Sequence, residues 1–171
     1  KNEILGVNVT WHFIGTLQRN KVKYVVKAAS FIHSVNSAVL AEEISKEANK
    51  LNKIQKILLE VNTSLEDSKS GLVDSIEVID LAKKCSTLSN IELVGLMTMA
   101  PFTDDESRIR QSFSDLRKLK AEINKNGFDL SELSMGMTND YEIAIEEGAT
   151  MLRIGSAIFG QRDITKDWRK S

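Results

Sequence analysis

At 171 residues the chain is long enough for one well-packed domain and short for two. Charged residues make up 27% of it and the net charge is -1, so neither nucleic acid nor an anionic membrane is expected as a partner. The single cysteine, Cys85, excludes an internal disulfide and a cysteine-based zinc cage.

No apolar run approaches the roughly 18–20 residues that span a bilayer. The start, Lys1-Asn2-Glu3-Ile4, has the pattern of neither a signal nor a transit peptide. A cytoplasmic location is the expectation. The first element, Thr10 through Gly15, is a compact apolar run closed by glycine and reads as a buried strand. A helix over 17–29 follows, with Val22, Val25, Val26 and Ala29 at helical spacing and Arg19, Lys21, Lys23 and Lys27 on other faces; that basic run reads as a solvated face. Phe31-Ile32-His33-Ser34-Val35-Asn36 is the next strand. Ser37 can cap the helix after it, which lines up Leu40, Ile44, Ala48 and Leu51.

Ile57-Leu58-Leu59-Glu60-Val61 is a third strand, ending in Asn62-Thr63-Ser64 and a polar loop that holds Lys69. In the helix beyond it Ile76, Ile79, Ala82 and Cys85 share a face, and Asp74 with Glu77 is spaced as a capping box. Residues 93–100 form a fourth strand, halted by Pro101, the only proline. The longest helix covers about 106–124, with Ile109, Phe113, Leu116, Leu119 and Ile123 inward and Gly127 at its end. Two short strands then flank a brief helix over about 140–147, for which Asn139 and Glu142 form a capping box and Gly148 a left-handed stop. Residues 161–171 form a polar tail.

Strand and helix alternate six times, and the strands are near-continuous apolar runs. That pattern predicts a parallel sheet with helices outside it. Functional groups of such α/β folds gather where strands end. In the last two units the strand tips carry Ser134, Gly136, Gly155 and Ser156, hydroxyls and side-chain-free amides suited to the oxygens of a phosphate. Arg153 lies within the final strand, placed to contact a cofactor ring or to form an ion pair inside the sheet. A phosphorylated cofactor at this rim is the expectation. His12 and His33 sit in apolar strands without a carboxylate at ligand spacing and read as hydrogen-bonded core histidines. Cys85 reads as packing, Met97, Met99, Met135 and Met137 as core filler near the pocket floor, and Lys69 as a solvated lysine able to approach the rim. Tyr141, at the start of the brief helix, is near enough to reach the site but is not counted among its residues.

The block Trp11-His12-Phe13-Ile14-Gly15-Thr16-Leu17-Gln18-Arg19-Asn20-Lys21 resembles the W-H-x-I-G-x-L-Q-x-N-K block of the YggS/PROSC group, the pyridoxal 5′-phosphate (PLP) homeostasis proteins. His33-Ser34-Val35, Val61-Asn62 with Ser68-Lys69-Ser70-Gly71, Gly95 through Pro101, Leu133 through Met137 and Arg153 through Gly160 match further blocks in order. The resemblance implies a (βα)8 TIM-type barrel of the alanine racemase N-terminal kind, of which residues 1–171 would be a single, incomplete domain with about six of eight βα units. It implies PLP as cofactor, with Ser134, Gly155 and Ser156 on its phosphate and Arg153 facing its pyridine nitrogen. An arginine cannot take up a proton there, which weakens the ring as an electron sink. Storage and delivery of PLP, in place of catalysis, is the implied role, with PLP-dependent apo-enzymes as recipients. The group's Schiff-base lysine lies on a strand before the first block, where this chain has only ten residues, so a fragment of a longer protein is expected. Two other readings stay open: a fold-related amino-acid racemase, which would need a further domain, and an inactive piece of either.

Overall fold

The computed structural model describes residues 9–64, 66 and 70–160. Lys1, Lys69 and the tail over 161–171, weighed above, lie outside the described residues. Six strands form one parallel sheet in consecutive order: β1 (His12–Phe13), β2 (Phe31–Val35), β3 (Gln55–Glu60), β4 (Ile91–Met97), β5 (Glu132–Met137) and β6 (Met151–Arg153). A 3-10 turn, Arg19–Lys21, leads into α1 (Val22–Ala28). Then come α2 (Ala38–Asn49), α3 (Ser75–Ser86), α4 (Glu106–Lys125), α5 (Tyr141–Glu146) and α6 (Ser156–Phe159). Each strand pairs only with its neighbours in the chain, which is the order of a (βα) barrel laid open between β1 and β6. Among the described residues no helix is long and apolar enough to cross a membrane.

Alternation along the strands sorts side chains onto two faces. Ile32, Ile57, Leu59, Leu96, Leu133 and Met135 point outward and pack with the helices into the main core. Leu58, Val94 and Met97, with Phe31 and Met99, make a smaller apolar cluster apart from it. The helices follow the same logic. In α4 the five apolar residues read from the sequence, Ile109, Phe113, Leu116, Leu119 and Ile123, are all buried. Ser37 caps α2 by accepting from the Leu40 N–H, and Asp74 caps α3 by accepting from the Ile76 N–H.

Three local expectations are corrected. Leu51 lies beyond the end of α2 and is exposed, because the chain has already turned towards β3. Ile76, in the first turn of α3, is exposed at 65%, and Val78, Leu81, Ala82 and Cys85 form the buried face. Asn139 does not cap α5: Asp140 stands at that position and its carboxylate accepts from the Met137 N–H instead, at 2.5 Å. A residue that closes the preceding turn is unavailable to the helix behind it.

Close approach fixes two glycines. A Cβ on Gly95 would lie 2.1 Å from the Glu132 carbonyl oxygen, so β4 and β5 meet there only because no side chain intervenes. Gly136 has φ +89, and a Cβ on it would lie 2.5 Å from the Ala144 Cβ. This second contact seats α5 on the tip of β5. The short helix is held from the other side by ion pairs, Arg110 to Glu146 and Glu147, and Arg117 to Glu147.

Candidate functional site

A cavity of about 1440 Å³ opens where the strands end, lined by His12, His33, Met99, Thr138, Arg153 and Gly155 among others. It exceeds the usual 300–1,000 Å³ of a small-molecule site because the sheet is open on that side. Each wall comes from a different βα unit, as an α/β fold dictates.

Arg153 is the fixed cation of this cavity. Its Nη1 donates to Ser134 Oγ at 2.9 Å and its Nη2 to the Thr98 carbonyl at 2.8 Å. Thr98 is itself buried, and its hydroxyl meets that of Thr63 at 2.9 Å, which in turn meets Ser112 of α4 at 2.6 Å. Burial lowers the pKa of the Arg153 guanidinium, and the charges of Asp140 and Glu60 oppose that shift. Glu60 is buried below the rim; Ser70 donates to its Oε1 at 2.6 Å, and its Oε2 has no hydrogen-bond partner among the described residues.

The candidate phosphate cup differs from the sequence reading at two members, Ser134 and Gly136. Ser134 sits in mid-strand, fully buried, with its hydroxyl taken up by Arg153 at 2.9 Å and by His33 Nδ1 at 2.8 Å. It points inward between those two groups and does not reach the rim. Strand β5 runs on to Met137, so the rim position belongs to Thr138, whose hydroxyl accepts from the Gly155 N–H at 3.3 Å. Thr138, Gly155 and Ser156 all line the cavity, and a Cβ built on Gly155 would meet nothing within 4 Å. A hydroxyl, an amide held by a long hydrogen bond and open space beside a glycine are the requirements of an anion seat. The helix behind Ser156 has only four residues, so the seat rests on these groups and not on a helix dipole. Gly136 is not a rim group either, since α5 packs directly against it.

The histidines divide. His33 is buried and bonded to Ser134, as a core histidine should be. Burial, with His12 and Arg153 nearby, lowers its pKa to about 4, so it is neutral. His12 is exposed, which corrects its assignment to the core: it stacks on Phe31 at 4.3 Å and its Nδ1 lies 2.8 Å from His33 Nε2. Cys85 is buried, with its thiol pushed up to about 12. Met97 and Met135 are buried, whereas Met137 is half-exposed in the cavity wall. Tyr141 lines the cavity and its hydroxyl donates to Glu142 at 3.2 Å.

These groups fit a phosphorylated aromatic cofactor: a cup for the anion at the tips of β5 and β6, and a guanidinium fixed beside it. No lysine lines the cavity among the described residues. No group of three or more histidine, cysteine or carboxylate side chains suited to a metal occurs among them either.

Comparison with known proteins agrees with this geometry. Residues 5–163 match the family described as alanine racemase, N-terminal domain. A pyridoxal phosphate homeostasis protein of Aquifex aeolicus (strain VF5) is 43% identical over 157 residues, which are 91% of this chain and 68% of that one. Its counterpart in Synechocystis sp. is 38% identical over 91% of this chain and 71% of its own length. The chain thus spans about two thirds of the curated relatives it matches. Among solved structures, PipY of Synechococcus elongatus PCC7942 with PLP bound is similar at a TM-score of 0.84 and 34% identity, over 92% of this chain and 74% of that one.

Proposed function

The chain belongs to the alanine racemase N-terminal domain family and, within it, to the pyridoxal phosphate homeostasis proteins, and on that premise we propose that it holds pyridoxal 5′-phosphate in the cavity at the ends of β5 and β6 for storage and delivery. Thr138, Gly155 and Ser156 bind the phosphate. Arg153 donates from its fixed position to the pyridine nitrogen. The observation that carries this reading is the pairing of an open anion seat with a doubly anchored guanidinium on the adjoining strand.

PLP, when bound, supplies an aldehyde and an electron-withdrawing ring. The contribution of this chain is to hold that ring in a less reactive state. An arginine side chain offers donors and no acceptor, so the nitrogen it faces keeps its lone pair and stays unprotonated. An unprotonated ring stabilises carbanions poorly, which favours keeping and passing on the cofactor over turning substrates over. The PipY structure with PLP bound supports the choice of ligand. The recipients in this reading are PLP-dependent apo-enzymes, and the site of action is the cytoplasm.

The test compares affinity for PLP with that for unphosphorylated pyridoxal, by titration followed through absorbance and protein fluorescence. PLP binds the unaltered protein more tightly than pyridoxal, and Thr138→Val narrows that ratio about tenfold, the loss of roughly one charge-assisted hydrogen bond. Equal affinity for the two ligands in the unaltered protein overturns the proposal. Turnover of any amino acid by the PLP-loaded protein would restore the racemase reading.

A further inference from the structure

Four side chains from four strands are joined in one line, and chemistry allows that line a single direction. Arg153 can only donate, so Ser134 Oγ accepts from it. Ser134 is fully buried, and its remaining neighbour is His33 Nδ1 at 2.8 Å. A buried hydroxyl hydrogen left without an acceptor is costly, so Ser134 donates to Nδ1. His33, neutral and without a proton on Nδ1, carries it on Nε2 and donates to His12 Nδ1 at 2.8 Å. His12, stacked flat on Phe31 at an interplanar angle of 11°, therefore carries its own proton on Nε2. Reversing any link would set two donors against each other or strand a donor in the interior.

We propose that His33 and His12 are positioning residues for Arg153, which they hold through Ser134 in a one-way hydrogen-bond chain that fixes where the guanidinium faces the cavity. This rests on the assignment of Arg153 to the cofactor ring, and it adds what sets the guanidinium's orientation. The Thr98 carbonyl alone would leave Arg153 free to turn about a single bond; the second anchor removes that freedom. The guanidinium then arrives pre-set, and no ordering cost falls on ligand binding.

The sequence contains only two histidines, so nitrogen-15 histidine labelling gives two ring systems to assign. At pH 7.5 the unaltered protein, free of ligand, shows both as the Nε2–H tautomer. A proton on Nδ1 of either ring, or a charged His33, overturns the proposal, and this measurement needs neither a variant nor PLP. The Arg153 Nη signals are resolved in the unaltered protein and collapse together in His33→Phe, since the hydrogen-bond link of His33 to Arg153 runs through Ser134. His33→Gln retains one acceptor and one donor and recovers the resolved pair. PLP affinity follows the same series, falling about tenfold in His33→Phe and largely returning in His33→Gln. Resolved Arg153 signals in a folded His33→Phe would overturn the positioning role. Failure of the unaltered protein to bind PLP, with the tautomers and Arg153 signals as stated, would instead remove the cofactor reading and leave the chain of bonds standing.

Discussion

Ser134→Ala separates the two places this residue has been assigned. The substitution deletes one hydroxyl at a fully buried position and orphans two partners, His33 Nδ1 and one Arg153 N–H. A buried polar group without its partner costs about 1–3 kcal/mol. His33 and Arg153 both border the cavity, but His33 is only 2% exposed and bears most of the cost, while Arg153 can recruit water there. The sum is a loss of about 2–3 kcal/mol, or about 4–12 °C in the unfolding midpoint of a domain this size. Urea denaturation followed by circular dichroism measures it in the ligand-free protein. In parallel, the ratio of PLP to pyridoxal affinity stays at its unaltered value, since Thr138, Gly155 and Ser156 are untouched. A variant with unchanged stability and a collapsed ratio would refute the reasoning and return Ser134 to the phosphate.

Gly136→Ala forces a Cβ to 2.5 Å from that of Ala144 at φ +89, and overpacking together with the left-handed backbone lowers stability by about 2–5 kcal/mol in the same urea experiment. The Cys85 thiol, buried and pushed up to about 12, stays unreactive towards a coloured disulfide reagent at pH 8 in the native protein and reacts once on unfolding. His33 links stability to pH: its folded pKa of about 4 lies below the ordinary 6.5, so in that interval the unfolded chain binds the extra proton. Stability therefore falls as pH drops from about 6.5 to about 4, and is not lost to this group above that window. Comparing midpoints with His33→Gln across the interval isolates the effect, and parallel curves would contradict it.

The six-unit alternation, the parallel sheet and the inner face of α4 were all legible because each rests on periodicity over many residues. The misjudged positions lie at element ends. Ile76 and Leu51 have the right spacing but stand in the first turn of α3 and just past the end of α2, where both are exposed, so the stripe runs on beyond the residues that pack. Ser134 was misplaced for a related reason: the strand ends three residues later than its serine, and alternation turns that hydroxyl inward between Leu133 and Met135. Thr138 carried a visible signal as a small polar residue beyond a strand. The line from His12 to Arg153 carried none. Its bonds join residues 21, 101 and 19 positions apart, and strand register decides whether such side chains meet.

Because every strand bonds only to the one made before and the one made after it, the sheet can form in the order of translation, each βα unit docking on a finished neighbour. The ligand seat obeys a different schedule. His12 and His33 emerge early, Thr98 midway, and Arg153, Gly155 and Ser156 only with the sixth strand. A nascent chain can thus be mostly folded before the proposed cofactor seat is complete.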